Sequence, residues 1–416
     1  MHEGKGGTHR MRDIVIVGAG MAGLHTAEAL RDAGFDGTVT LIGDEPHRPY
    51  SRPPLSKEVL TGKGTPKSLP LREDAAIDAL GLDLRLGRRA ERLLTDEKAV
   101  LLDDGARVDY DGLVIATGAR ARRPRTDLAG VHTLRSLEDA EAVRAAFTEP
   151  GGHVVVVGAG FIGSEVAASA RACGWEVTLV EAEPTPLTRV VDPRIGTVLT
   201  DLHRDSGVDV RLGVGVTGFE GEGRVERVLL ADGSAIEASL VVAGLGVELN
   251  TEWLAGSGVK LDEGGAVLCD AQVATTVPDV YAVGDLANWP HPRYGGRVRL
   301  EHWTNAGEQA VVAAHNLLAG ESGTDRRDYT PVPYFWSDQY GMKIQLLGQA
   351  APADTVEFVH GSPEDRKFVA FLGRSGQLIG VLGLRSTPKT MRYRALLEKP
   401  TAWDDALAAA GFSPRR

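Results

Sequence analysis

Two glycine triplets are the first feature of this sequence that could do chemistry. Both have GxGxxG spacing: Gly18, Gly20 and Gly23 in one, and Gly158, Gly160 and Gly163 in the other. The first glycine of such a triplet permits a tight turn, the second lets the backbone approach a pyrophosphate, and the third lets a helix pack on a strand. The following helix offers its N–H groups and dipole to the phosphates. The triplets therefore predict two dinucleotide sites, most simply for a flavin and a nicotinamide.

The segments that must position these glycines repeat along the chain. Residues 13–46 and 153–184 each read as strand, Gly-rich turn, helix and second strand. A second repeat joins residues 101–118 to residues 229–246, where an Asp-Gly turn connects two alternating strands that lead into a buried run. The sequence therefore predicts an α/β protein with two Rossmann-like dinucleotide-binding domains, the second inserted in the first.

The remaining residues divide the chain further. Residues 367–384 read as a hairpin and residues 402–411 as a short helix, without a Gly-rich phosphate turn, which indicates a C-terminal α+β domain. The predicted boundaries are a disordered leader at 1–11, a first dinucleotide domain at 12–120 and 249–325, a second at 121–248, and the C-terminal domain at 326–416.

Composition excludes several classes of protein. The net charge is −11, from 46 basic and 57 acidic residues, which argues against a nucleic-acid binder. The longest apolar runs are about five residues, far short of the roughly 20 that cross a bilayer, and residues 1–10 lack the apolar core of a signal peptide. Cys173 and Cys269 form no metal-ligand set, so we expect no metal and a reducing, cytoplasmic setting.

An acidic residue follows the second strand of each repeat. Glu181 lies 23 residues after Gly158, where a carboxylate can accept hydrogen bonds from a ribose 2′,3′-diol. With Glu183 close by, it would repel a 2′-phosphate, so NADH is favoured over NADPH. In the first repeat the aligned residue is Gly43, and Asp44 follows it. A solvated carboxylate at a strand end is the alternative interpretation of Glu181.

Four further segments carry a family resemblance. They are RPPLSK (52–57), LVIATGARAR (113–122), TTVPDVYAVGD (275–285) and PYFWSDQYG (333–341). They resemble the FAD-dependent NADH:ferredoxin reductases of oxygenase electron-transfer chains, the group of putidaredoxin reductase and the biphenyl-dioxygenase reductases, which have a glutathione-reductase-like fold. The resemblance covers nearly the whole chain, and it assigns FAD to the first dinucleotide domain and NAD to the second.

The resemblance also implies a reaction. NADH would pass a hydride to N5 of FAD, and two single-electron steps would then reduce an iron–sulfur ferredoxin, expected to be acidic, that serves an oxygenase. Residues 21–60 contain no cysteine, which excludes the dithiol chemistry of disulfide reductases. Three alternatives stay open: an NADH oxidase or peroxidase, a rubredoxin reductase, and an NADH-responsive binding protein resembling apoptosis-inducing factor, for which residues 326–416 are short.

The resemblance implies the site residues as well. Lys57 and Glu165 would form a catalytic ion pair beside the flavin, and Trp303 stands where the family commonly has a smaller residue. FAD contacts are expected from Gly18, Gly20, Ala22, Gly23, Asp44, Arg52, Lys57, Ala90, Ala116, Thr117, Gly118, Arg135, Asp285, Trp303 and Trp336. NAD contacts are expected from Gly158, Gly160, Ile162, Gly163, Glu165, Glu181 and Gly246.

Docking of an acidic partner needs local positive charge, because the chain itself is net negative. Basic residues near the segments assigned to the flavin could supply it. The candidates are Arg72, Lys343, Lys389, Arg392 and Arg394.

Overall fold

The computed structural model describes residues 11–65, 68–148, 151–188 and 190–412, without the side chains of 320–322. The chain forms two compact units. The first comprises the described residues of Met1–Tyr50, Pro70–Ala119 and Leu249–Pro331. The second comprises those of Ser51–Leu69, Arg120–Glu248 and Val332–Arg416. Residues 1–10 of the predicted leader lie outside the described residues, whereas Met11 packs against the core of the first unit.

The elements are numbered in chain order. The helices are α1 (Met21–Asp32), α2 (Asp74–Ala79), α3 (Leu137–Phe147), α4 (Phe161–Ala172), α5 (Pro193–Asp205), α6 (Trp303–Ser322), α7 (Thr387–Arg392) and α8 (Trp403–Ala409). The strands are β1 (Asp13–Val17), β2 (Thr38–Gly43), β3 (Asp83–Leu86), β4 (Ala90–Leu94), β5 (Ala99–Leu102), β6 (Arg107–Asp109), β7 (Gly112–Ile115), β8 (Ala119–Ala121), β9 (Val131–His132), β10 (His153–Val157), β11 (Glu176–Glu181), β12 (Asp209–Leu212), β13 (Val216–Glu220), β14 (Arg227–Leu230), β15 (Ala235–Glu237), β16 (Leu240–Ala243), β17 (Val247–Leu249), β18 (Val267–Leu268), β19 (Val280–Ala282), β20 (Ala287–His291), β21 (Gly296–Val298), β22 (Tyr334–Gln339), β23 (Met342–Gly348), β24 (Thr355–Ser362), β25 (Lys367–Arg374) and β26 (Gln377–Leu384).

The first unit is built on a parallel sheet in the order β19-β7-β1-β2-β3. Its central strand β1 is buried from Ile14 to Val17, as expected for an apolar strand covered on both faces. Helices α1 and α6 are packed against each other in this unit. Two three-stranded sheets, β4-β5-β6 and β18-β20-β21, complete it.

The second unit repeats the parallel sheet in the order β12-β11-β10-β16-β9, with α4 following the central strand β10. The antiparallel sheet β13-β14-β15 corresponds to β4-β5-β6 of the first unit, because in both sheets the strands are neighbours in the order in which they occur along the chain. A five-stranded antiparallel sheet, β22-β23-β26-β25-β24, carries α7 and α8 and forms the C-terminal α+β module. The predicted fold class is confirmed.

The two units divide the chain differently from the predicted leader and three domains, whose boundaries remain predictions. Residues Ser51–Leu69 belong to the second unit, although the sequence placed them in the first dinucleotide domain. Hydrogen bonds explain this difference: Ser169 of α4 donates to the Ser56 carbonyl at 2.7 Å, and Arg52 donates to the Arg135 carbonyl at 2.8 Å. Among the described residues no helix is both long and apolar enough to cross a bilayer.

Candidate functional site

The glycine turn of the first unit has the backbone that its spacing predicts. Gly18 has φ +119°, and a Cβ there would lie 2.1 Å from the carbonyl oxygen of Ala116. A Cβ at Gly23 would lie 1.8 Å from the carbonyl oxygen of Gly18. At Gly20, by contrast, a Cβ would meet no described atom within 4 Å. The turn and packing glycines are therefore sterically required, and the side of Gly20 is open to an approaching ligand.

The turn of the second unit repeats this arrangement. Gly158 has φ +96°, and a Cβ there would lie 2.4 Å from the Gly244 carbonyl oxygen. A Cβ at Gly163 would lie 1.9 Å from the Gly158 carbonyl oxygen, while the side of Gly160 is open among the described residues. Neither α1 nor α4 has a side chain hydrogen-bonded to its first turn as an N-cap. Both helix N-termini can therefore direct backbone N–H groups at a phosphate.

A buried glutamine lies beside the turn that ends β19. The Gly284 N–H donates to Oε1 of Gln309 at 2.8 Å, and a Cβ on Gly284 would lie 3.4 Å from the Cβ of Ala22. Nε2 of the fully buried Gln309 has no hydrogen-bond partner among the described atoms. Because a buried donor is normally satisfied, this orphan fits a bound polar ligand such as a dinucleotide. Sequence reasoning missed Gln309, since the Gly284 N–H that donates to it is 25 residues away in the sequence.

The residues predicted to contact FAD are divided between the units. Ala22 and Ala90 are buried, Ala116 to Gly118 follow β7, and Asp44 is exposed after β2. The first unit carries Gly18, Gly20, Ala22, Gly23, Asp44, Ala90, Ala116, Thr117, Gly118, Asp285 and Trp303, and the second carries Arg52, Lys57, Arg135 and Trp336. Trp303 is the first residue of α6 and is 38% exposed.

The second unit brings Lys57 and Glu165 together. Nζ of Lys57 lies 2.6 Å from Oε2 of Glu165. The Lys57 ammonium also donates to the Pro53 carbonyl at 2.9 Å and to Oγ of Ser56 at 3.3 Å. All three of its protons therefore have acceptors on the protein, and Glu165 offsets its charge at long range. Lys57 can therefore act on a ligand only at close range, through the positive end of the ion pair. The π-helical turn Leu55–Val59, after Pro53 and Pro54, sets the position of Lys57.

Three further donors bind the Glu165 carboxylate, which is 4% exposed. Ser56 donates to Oε2 at 2.6 Å, and Ser337 of β22 donates to Oε1 at 2.7 Å. The Asp338 N–H donates to Oε1 at 3.2 Å. Sequence reasoning missed these partners, although Ser56 and Ser337 lie inside the segments RPPLSK and PYFWSDQYG.

Glu181 lies against the glycine turn of the second unit. Its Oε2 accepts the Ala159 N–H at 2.7 Å, and its Oε1 accepts the Glu183 N–H at 3.0 Å. Each oxygen keeps a lone pair for a ligand hydroxyl. Two apolar side chains in neighbouring segments are exposed: Ile162, the second residue of α4, at 46%, and Leu245, which follows the Gly244 that contacts Gly158, at 42%. Leu245, next to the predicted Gly246, was not identified from the sequence.

Trp336 and the candidate docking cations have distinct surroundings. The Trp336 ring stacks on Tyr334 at 5.7 Å, and Nζ of Lys343 lies 5.9 Å from its centroid. Lys343 is ion-paired to Asp338 at 2.7 Å. Arg72 of the first unit is likewise paired, to Glu28 at 2.7 Å. These two predicted cations are therefore neutralised locally.

Neither cysteine has a thiol pKa shifted toward the reactive thiolate. Burial raises the pKa of the Cys173 thiol, and it raises that of Cys269 to about 12. Both are free thiols, in different units. No group of three metal-ligating side chains is present in the described part of the chain.

Comparison with known proteins identifies the family. The family described as pyridine nucleotide-disulphide oxidoreductase matches residues 12–310. The chain belongs to this family. The C-terminal module of this oxidoreductase matches a second family, described as reductase C-terminal, over residues 334–413.

Individual relatives of this oxidoreductase are reductases of electron-transfer systems. Rhodocoxin reductase of Rhodococcus erythropolis is 39% identical over 92% of this chain and 89% of its own length. The ferredoxin–NAD(+) reductase component of the p-cumate 2,3-dioxygenase system of Pseudomonas putida is 39% identical over 91% of each chain. A chain in the crystal structure of the covalent putidaredoxin reductase–putidaredoxin complex superposes with a TM-score of 0.89, at 33% identity, over 97% of this chain and 99% of that one.

Proposed function

We propose that this oxidoreductase passes electrons from NADH through FAD to an iron–sulfur ferredoxin that serves an oxygenase. The observation that carries this function is the Lys57–Glu165 ion pair in a chain with two open Gly-rich turns. The similarity of the chain to ferredoxin reductases supports the same function. When bound, FAD would supply the chemistry that links the transfer of a hydride, which carries two electrons, to the transfer of single electrons.

The residues of the chain bind and orient the two dinucleotides. The α1 N-terminus at Gly20 would hold the pyrophosphate of FAD, and the α4 N-terminus at Gly160 that of NADH. The open side of each of these glycines and the orphan Nε2 of Gln309 fit such ligands. Glu181 would accept hydrogen bonds from the adenosine ribose diol of NADH.

Lys57 would act on the flavin through its charge. Its three protons are engaged by Pro53, Ser56 and Glu165, so it can stabilise the negative charge that reduction brings to the flavin without moving a proton. The π-helical turn and the Glu165 carboxylate hold the ammonium in place, so little reorganisation is needed when charge develops.

The docking surface for an acidic ferredoxin would lie on the C-terminal module. Lys367, Arg385 and Lys389 line a cleft of about 260 Å³, and Arg392 follows on α7. All four cations are exposed, and none forms an ion pair within the described residues. Of the predicted candidates, Lys389 and Arg392 belong to this basic cluster, whereas Arg72 and Lys343 are bound by carboxylates of the protein itself.

We place the protein in the cytoplasm, where NADH is supplied; cell fractionation tests this.

The proposed function is tested by reconstitution with purified components. The protein should bind about one FAD per chain, be reduced by NADH, and reduce cytochrome c only when a ferredoxin is present. Omission of ferredoxin is the control. Rapid NADH consumption with oxygen as acceptor, unaffected by ferredoxin, would instead identify an NADH oxidase, and a single turnover without an acceptor cycle would identify a redox-responsive binding protein.

A further inference from the structure

The Glu165 carboxylate is bound from two different segments of the second unit. Ser56 and Lys57 contact Oε2 from the π-helical turn, and Ser337 and the Asp338 N–H contact Oε1 from β22. We propose that Ser337 is a positioning residue for the Lys57–Glu165 pair, so that the C-terminal module completes the site at which NADH reduces the flavin. This inference rests on the proposed function.

The buried position of Glu165 requires such partners. A carboxylate that is removed from water is costly unless its acceptor sites are filled by hydrogen bonds. The four donors at 2.6 to 3.2 Å match the four lone-pair sites of the two oxygens. Without the Ser337 hydroxyl, Oε1 would keep only the 3.2 Å bond from the Asp338 N–H.

The Ser337 hydroxyl is itself oriented. Nε2 of the buried Gln339 donates to Oγ of Ser337 at 3.2 Å, so the hydroxyl proton is free to point at Glu165. Alternate residues of a strand share a face, and Phe335 on this face packs its ring 4.0 Å from that of Phe161 on α4. Strand β22 is therefore held against the helix that carries Glu165, at a register that brings residue 337 to the carboxylate.

This arrangement has a consequence for Lys57. The ammonium takes its shortest contact, 2.6 Å, from the same carboxylate. If Oε1 loses its strong donor, the carboxylate can rotate about its terminal torsion, and the position of the Lys57 charge becomes less defined. Charge stabilisation in an active site depends on groups that are already oriented, so the step in which the flavin accepts electrons should slow.

The test compares Ser337→Ala with the matched control Thr200→Val. Thr200 is also a buried hydroxyl of the second unit, but it donates only to the Gly196 carbonyl of its own helix, at 3.0 Å. Stopped-flow reduction of the FAD-loaded protein should show a limiting rate about tenfold lower for Ser337→Ala, because one hydrogen bond to a charged group is lost. The dissociation constant for NAD(+) should change less than about twofold, and Thr200→Val should match the wild type in both.

Two measurements separate positioning from a general structural role. The flavin midpoint potential of Ser337→Ala should fall, in the same direction as that of Lys57→Met and by a smaller amount, because both changes weaken the positive charge held beside the flavin. In the Glu165→Gln background, adding Ser337→Ala should have no further effect on the limiting rate, because the group that it positions is already altered. Equal slowing in both backgrounds, or a lowered melting temperature with an unchanged potential and rate, would overturn the proposal.

The same series distinguishes failure of the positioning role from failure of the proposed function. If Glu165→Gln slows flavin reduction and Ser337→Ala does not, only the positioning role is wrong. If the wild-type protein takes up FAD but does not reduce ferredoxin with NADH, the proposed function itself is wrong.

Discussion

Replacing Glu181 by glutamine should weaken the preference for NADH over NADPH. The wild-type preference is expected to be about 30- to 1000-fold in kcat/KM, from roughly 2–4 kcal/mol of lost hydrogen bonding and repulsion of the 2′-phosphate. One unit charge at about 5 Å contributes about 1 kcal/mol at a dielectric constant of 80 and about 3 kcal/mol at 20. Removing the charge of the half-exposed Glu181 should therefore reduce the preference about 5- to 150-fold.

The structure adds a second effect of this substitution. Both carboxylate oxygens accept backbone N–H groups, from Ala159 at 2.7 Å and Glu183 at 3.0 Å. Either orientation of the glutamine amide places its NH₂ against one of these donors, so kcat/KM should fall for both nucleotides. The ratio of the two values cancels this shared loss and isolates the electrostatic contribution.

Steady-state rates with each nucleotide and a small artificial acceptor measure the ratio. Glu237→Gln, an exposed acid on β15 of the same unit, removes an equal charge and should leave the ratio unchanged. Raising the salt concentration should also lower the wild-type preference, because it screens the repulsion. An unaltered NADH/NADPH ratio in Glu181→Gln would refute the electrostatic reasoning.

Three further predictions follow from the structure. Lys57→Met should lower the limiting rate of flavin reduction about a hundredfold with little loss of FAD, as measured by stopped-flow absorbance; an equal loss of FAD would show a structural role. Lys389→Glu with Arg392→Glu should slow ferredoxin reduction several-fold at low salt but spare a small neutral acceptor, whereas Arg72→Glu should have a smaller effect because Glu28 already neutralises Arg72. Burial lowers the pKa of His203 to about 4, below its unfolded value near 6.5. The free energy of unfolding should therefore fall by up to about 3 kcal/mol as the pH drops from about 6.5 to about 4. Urea unfolding at several pH values should show a weaker pH dependence for His203→Asn than for the wild type.

The sequence by itself determined the parts of the protein that are encoded locally. A β-branched strand, a Gly-rich turn and a helix are contiguous in residues 13–46 and 153–184, and the close contacts that require Gly23 and Gly163 come from Gly18 and Gly158 within the same turns. The fold class could be predicted from these repeats because each repeat is a complete βαβ unit. Lys57 and Glu165 were identified through family resemblance, since their spacing of 108 residues carries no local pattern.

Tertiary structure decided which groups surround those residues. Ser337 is 172 residues from Glu165, and Gln309 is 25 residues from Gly284, so neither hydrogen bond has a periodic signature in the sequence. Charge pairing also depends on the fold. The sequence gives no sign that Arg72 is paired, because its partner Glu28 is 44 residues away. Helix and strand propensity and the packing of Gly23 and Gly163 on their own turns act between near neighbours, and the sequence displays them directly, whereas the close contacts of Gly18 and Gly158 come from Ala116 and Gly244. The filling of buried acceptors and the pairing of charges depend on which distant segments the packed sheets bring together, and only the folded chain decides that.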